Sequence, residues 1–393
     1  MLECHNCHYH LVTVLMQTRD SVTLIVTFVI YITRTVTRVM PTFTLVQRGL
    51  STDTLLRTLT SLLEYLEVID QDDVDTDALD APRADLVHRS ILLHKDQGVR
   101  AYAACCLAQL LRLYAPDAPY TQPQLRDIFQ FFIRQLTDGL KLPDAPYHAQ
   151  YFHLLESLST VKSPVLVCDL PSTDDLILDF FTAFFAILRR RTANNKMQAY
   201  MADILVALLD ECQSVPQTVL DTILAQFMDN NLDQPAYSLA VSVCNHVSDK
   251  LQRPVCQYFT DIIVDSARSS PDDNQSLESA HELIQRLHAT CPAILHGVIP
   301  QLTEELRVDH VHVRLLATRT LADMYAHKNG RELANKYPAT WDVWISRRND
   351  KNVSIRLQLV QALAKLVSTL PAKRDALTGE FSLSSQTSID PLL

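Results

Sequence analysis

Glycine is scarce in this chain: 6 residues among 393, at positions 49, 98, 139, 297, 330 and 379. No two share a short loop. A P-loop needs a pair of glycines five residues apart and a dinucleotide fingerprint needs three within six, so neither phosphate cradle can be drawn. An excess of basic charge is also missing, since 35 Lys and Arg stand against 45 Asp and Glu, a formal net charge of −10. Non-specific duplex binding depends on cations that neutralise many phosphates, so this balance favours protein partners over DNA. Long apolar runs are absent too. The longest, Val22 to Ile32, is about half of the roughly 20 residues a membrane-spanning helix requires. Met1 to His10 lacks the basic and apolar regions of a secretory signal. The 9 cysteines are odd in number and scattered, with Cys105 and Cys106 adjacent, which argues against a disulfide framework. The expectation is a soluble intracellular protein whose cysteines serve as small hydrophobes.

What is present is repetition. Gly98 to Leu113 (GVRAYAACCLAQLLRL), His312 to Tyr325 (HVRLLATRTLADMY) and Ser354 to Val367 (SIRLQLVQALAKLV) superimpose on Arg100, Arg314 and Arg356. Val99, Val313 and Ile355 precede the arginine. Ala103, Ala317 and Leu359 follow it by three, Leu107, Leu321 and Leu363 by seven, and Leu110, Met324 and Leu366 by ten. Those offsets make one apolar stripe on a 3.6-residue helix. An acid before each helix (Asp96, Asp309, Asp350) is placed to serve the free N–H groups at its start. The last two copies are 42 residues apart (356 − 314), inside the roughly 40–47 of HEAT and armadillo arrays. The fold class predicted is all-α, a HEAT-repeat superhelix that buries surface between neighbours.

The array is expected over residues 49–370. Residues 1–48 form an atypical leader, β-branched and strand-like over Val22 to Ile32, outside the pattern. After Pro371 the stripe is lost, and 371–393 reads as a disordered tail. Prolines 164, 171, 216, 235, 254 and 292 punctuate helix ends and first turns, where the missing N–H is tolerated. On this reading Ala236 to Lys250 and Pro254 to Ser266 are separate helices, and Pro292 to Leu306 is one.

Motifs for chemistry fail on inspection. Cys4-His5-Asn6-Cys7-His8 spells C-x-x-C-H, but no second ligand pair follows at zinc spacing and no export signal accompanies it. Asp73, Asp75 and Asp77 imitate a calcium loop, yet Ala78 and Ala84 occupy its glycine and glutamate positions. His281-Glu282 lacks the second zincin histidine, because Gln285 stands there. Arg189, Arg190 and Arg191 end an apolar helix, where cations complement the dipole. Arg347, Arg348 and Lys351 form a second small basic group. Arg100, Arg314 and Arg356 are expected to bond acids or carbonyls between neighbouring repeats. No enzyme, metal or cofactor is expected. Ala115 to Thr121 (APDAPYT) is a proline-braced turn, with Asp117 and Tyr120 able to face outward; a stiff connector and a binding loop both fit it.

Gly98 to Thr121 (GVRAYAACCLAQLLRLYAPDAPYT) resembles the N-terminal part of the precocious-dissociation-of-sisters family, HEAT-repeat regulators of cohesin. Gly49 to Leu56, Gln124 to Phe132, Leu154 to Leu170, Val215 to Leu224, Val298 to Leu302 and Trp341 to Asp350 extend the likeness in order. It covers about Gly49 to Leu370, while residues 1–48 do not resemble the family and its proteins are several times longer. The resemblance implies a non-catalytic, chromatin-associated nuclear scaffold that controls maintenance and release of cohesin, with chromatin contact mainly indirect and no membrane. It implies as partners the wings-apart-like releasing factor, a cohesion-establishing acetyltransferase and the kleisin of cohesin, the last mostly through parts beyond this chain. It also implies a peptide-binding patch at Ala115, Pro116, Asp117, Ala118, Pro119 and Tyr120. The competing expectation is another HEAT adaptor, such as a nuclear-transport receptor or a phosphatase scaffold.

Overall fold

The computed structural model describes residues 43–369, apart from 48, 75–76, 143, 172, 190–194, 229–233, 269–274 and 329. Among these residues all regular structure is helical. The α-helices are α1 (Thr52–Val68), α2 (Asp80–Leu86), α3 (Arg89–Leu92), α4 (Gln97–Tyr114), α5 (Gln122–Gly139) and α6 (His148–Val161). They continue as α7 (Thr173–Leu188), α8 (Asn195–Glu211), α9 (Gln217–Met228), α10 (Pro235–His246), α11 (Ser248–Arg268) and α12 (Gln275–Thr290). The last are α13 (Ile299–Glu305), α14 (Val311–Ala326), α15 (Gly330–Lys336), α16 (Pro338–Ser346) and α17 (Val353–Thr369).

Two stacks organise them. One runs α1, α4, α6, α8, α10, each helix packed on the next of its kind; the other runs α5, α7, α9. Further along, α12, α14 and α17 stack in the same way. Hydrogen bonds repeat the period. The Cys106 thiol donates to the Leu59 carbonyl, the Cys105 thiol to the Gln150 carbonyl at 3.3 Å, and the Ser159 hydroxyl to Asp203 at 3.3 Å. Burial pushes both thiols far above their ordinary pKa, so they sit as small hydrophobes. This is a HEAT-repeat solenoid.

The stripe lies where its spacing put it. Val99, Ala103, Leu107 and Leu110 have no exposed surface, nor have Ala317, Leu321, Ile355 and Leu359. Val313 and Leu363 are half-buried. The arginines behave more locally than expected. Each donates Nη1 to a carbonyl six residues earlier: Arg100 to His94 (2.5 Å), Arg314 to Val308 (2.7 Å) and Arg356 to Asp350 (2.7 Å). Arg314 alone of the three also reaches the next repeat's acid, with Nε 3.1 Å from an Asp350 oxygen. The shared arginine is a clamp between a helix and its own entry loop. Helix starts vary as well. Asp96 caps α4, accepting the Val99 N–H at 2.9 Å, while α14 starts at His310 without a side-chain cap. At α17 it is Asn352 that accepts the Ser354 N–H, and Asp350 in turn holds the Asn352 N–H.

Helix ends are served from the next repeat. Arg112 donates to the carbonyls of Leu66 and Ile69 at the end of α1, and Lys250 to those of Leu209 and Cys212 at the end of α8. Arg286 reaches the Phe227 carbonyl in α9, and Arg347 that of Leu306 after α13. Cations there satisfy orphan carbonyls and oppose the negative helix end.

Three expected boundaries move. Helix α11 runs through Pro254, because Leu251, Val255 and Phe259, all fully buried, anchor one continuous face across the lost hydrogen bond. The Pro292–Leu306 segment splits into a 3-10 turn (Pro292–Leu295) and α13. The boundary drawn at residue 48 falls inside packed structure: Phe43 and Leu45 are buried, and the amides of Leu45 and Val46 donate to Asp85 at 2.9 and 3.1 Å. Residues 1–42 and 370–393, and with them the Cys4–His8 cluster, lie outside the described residues.

Candidate functional site

Helix α4 ends where the sequence stops it, at Tyr114, ahead of Pro116. The turn that follows is closed at its far side by a capping box, in which the Thr121 N–H donates to the Gln124 side chain at 3.0 Å. Two tethers fix it from outside. The Gln71 side-chain amide donates to the Ala115 carbonyl, and Arg83 Nη1 donates to the Pro119 carbonyl at 2.6 Å. Both come from the segment between α1 and α4, one repeat earlier in the chain. Arg83 is itself held by Asp80 at 2.8 Å.

This arrangement places a carboxylate-rich surface around the turn. Asp70, Asp72, Asp77 and Asp80 are exposed, as are Pro116 and Asp117. Ala115, Ala118 and Pro119 are half-buried. The Tyr114 hydroxyl registers its neighbours: burial pushes its pKa up, Arg83 opposes that, and Asp80 and Asp77 add to it. Of the two residues able to face outward, Tyr120 turns inward. Its ring packs against the core, and its hydroxyl is buried without a hydrogen-bond partner. The apolar ring gains more from contact with the array than the hydroxyl gains from water. Burial also pushes the Tyr120 pKa up, against the pull of Arg83. Asp117 is therefore the exposed charge of the turn, and Arg83, Gln71 and Asp80 are the residues the sequence reading missed. Their only signal was a distance from the turn near one repeat length.

The other candidates have structural employment. Arg189 donates to Gln226 at 3.0 Å, linking α7 to α9; Arg190 and Arg191 lie outside the described residues, as does Asp75 of the calcium-like run. Arg347 serves Leu306 and pairs with Asp350. His281 is buried, 3.0 Å from the Thr320 hydroxyl and 3.4 Å from Glu305. Among the described residues no group of three His, Cys, Asp or Glu is placed to hold a metal ion. None of their helices is long and apolar enough to cross a membrane.

Residues 53–387 match the family described as "Sister chromatid cohesion protein PDS5 protein". The chain belongs to the PDS5 family. Sister chromatid cohesion protein pds5 of Schizosaccharomyces pombe is 36% identical over 326 residues, covering 79% of this chain and 27% of that protein. The human PDS5 homolog A is 32% identical over 316 residues, again 79% of this chain and 23% of the relative. A solved structure of the Pds5–Scc1 complex superimposes with a TM-score of 0.76 at 30% identity, over 84% of this chain and 51% of that one. The chain thus spans about a quarter of the curated PDS5 proteins it matches. The transport-receptor and phosphatase-scaffold readings lose their footing with this match.

Proposed function

We propose that this chain is a non-catalytic, cohesin-associated scaffold that regulates sister chromatid cohesion, in the nucleus and on chromatin, by gripping short peptide motifs of cohesin regulators. The observation that carries the proposal is the PDS5 match over residues 53–387, which includes the whole of the braced turn. The relatives are named for sister chromatid cohesion, and the structural neighbour was solved with Scc1; by that likeness the kleisin of cohesin is a partner here. The peptide site is the turn formed by Ala115, Pro116, Asp117, Ala118, Pro119 and Tyr120. A tethered turn loses little conformational entropy when a peptide docks. Asp117 anchors an Arg side chain or a backbone N–H of that peptide, the half-buried Tyr120 ring supports the turn from below, and the surrounding acids favour a basic ligand. The wings-apart-like releasing factor and the cohesion-establishing acetyltransferase are the proposed sources of such motifs.

Titration of a labelled peptide from the wings-apart-like N-terminal region tests the site. A charge-assisted hydrogen bond contributes about 1.5–3 kcal/mol, so Asp117→Lys should weaken binding about tenfold or more. The thermal midpoint should barely change, because Asp117 is exposed. Equal affinities from two folded proteins would leave the turn a connector.

A further inference from the structure

We propose that Arg83 is the positioning residue of this peptide site, an inference that rests on the reading above: it acts through the Pro119 carbonyl to present Asp117 and does not touch the ligand. Arg83 divides its hydrogen bonds between the turn and its own helix. Nη1 goes to the Pro119 carbonyl at 2.6 Å and Nη2 to Asp80 at 2.8 Å. One planar guanidinium therefore ties α2 to the turn through two fixed directions, a geometry a flexible ammonium cannot reproduce. Its Nε is buried with no partner, and so is the nearby Tyr120 hydroxyl. A buried unmatched donor is costly. A segment selected only for stability would be served as well by an apolar side chain of the same length, which packs along the same path without that cost.

The position of the tether matters as much as its strength. Pro119 is two residues past Asp117, and Gln71 grips Ala115 two residues before it. Asp117 is thus the free crest of a turn pinned on both sides. Releasing the Pro119 side lets the crest sample other orientations, and the ordering then has to be supplied at binding. The neighbouring charge fits a positioning role. Arg83 is a cation inside an acidic surface that is proposed to attract a basic peptide; as a ligand contact it would repel that peptide, whereas as a brace bonded to Asp80 it is neutralised.

The experiment uses the full chain, the same labelled peptide and four variants. Arg83→Met keeps the apolar stem and removes both bonds; its affinity should fall about fivefold, while the thermal midpoint stays within about 2 °C. Arg83→Lys retains one bond at a time and should bind with intermediate affinity, which also serves if the methionine variant does not fold. The double variant Arg83→Met with Asp117→Lys should be no weaker than Asp117→Lys alone, since the two act through one contact. Amide exchange at Ala118 and Thr121 should quicken in Arg83→Met. If Arg83→Met binds like wild type while Asp117→Lys is impaired, the positioning role is wrong and the site stands. Fully additive losses would also overturn it, because Arg83 would then act independently of Asp117. If Asp117→Lys itself binds like wild type, the site fails, and this inference with it.

Discussion

Leu107 has no exposed surface and sits in the middle of α4, the helix that packs on both α1 and α6. Truncating it leaves a cavity that neighbours on two sides cannot close, so Leu107→Ala should cost about 2–5 kcal/mol in denaturant melts. A near-neutral result would mean that the stripe carries less of the stability than its burial indicates. A second residue makes stability depend on pH. His288 is buried beside His327, at 5.7 Å between ring centroids, and burial first, then the neighbouring imidazole, lowers its pKa to about 4. The unfolded chain therefore takes up this proton at a higher pH than the folded one does. Its contribution to stability is complete above about pH 6.5 and is lost as the pH falls towards 4. The wild-type midpoint should drop over that window, and His288→Gln should flatten the drop. Identical pH profiles would place the acid sensitivity elsewhere.

At the scale of elements, the recurring device is a cation that joins a helix to a loop. Arg100, Arg314 and Arg356 clamp their own entry loops, whereas Arg112, Lys250, Arg286 and Arg347 cap carbonyls of an earlier repeat. Asp350 is where the two uses meet. Its carboxylate, only 3% exposed, pairs with Arg314 and Arg347 and accepts the Asn352 N–H. Burial raises its pKa, but the Asn352 N–H and Arg314 outweigh that and hold the group below the usual carboxylate value. Removing it strands the Arg314 guanidinium, so Asp350→Ala should destabilise the α14–α17 junction by about 3–5 kcal/mol. A loss under 1 kcal/mol in urea melts would show that water replaces the carboxylate. Legibility in the sequence differs between the two uses. A clamp six residues away belongs to one segment, and the shared β-branched residue before the arginine marks it; a cap from 38 to 59 residues away carries no local pattern.

For the whole molecule, packing mainly between adjacent repeats means that damage stays near its origin. In amide exchange, Leu107→Ala should loosen α1, α4 and α6 and leave α14 and α17 as protected as before. Uniform loss of protection would indicate one cooperative unit. Residues 43–47 also pack against the array. Phe43 lies 5.9 Å from the Tyr65 ring of α1, and Leu45 is 2% exposed with its amide bonded to Asp85 of α2. A chain starting at Leu50 should melt several degrees below one starting at Phe43, by roughly the burial of two apolar side chains. Equal midpoints would make these residues a passive extension.

The sequence by itself determined the helical class, the stacking period, the end of α4 and the existence of a stiff turn after it. All four follow from pattern along the chain: a 3.6-residue apolar spacing, a proline that disfavours helix before it, and a stripe copied at a repeat distance. It did not decide that α11 continues through Pro254, that Phe43 and Leu45 belong to the core, or that the Tyr120 ring turns inward. Each of those depends on apolar surface offered by segments distant in sequence, and local preference yields to the burial they provide. Nor did it decide what holds the turn. Gln71 and Arg83 meet Ala115 and Pro119 only because α1, α2 and α4 stack, and a hydrogen bond across 36 or 44 residues comes into being with the packing that brings its ends together.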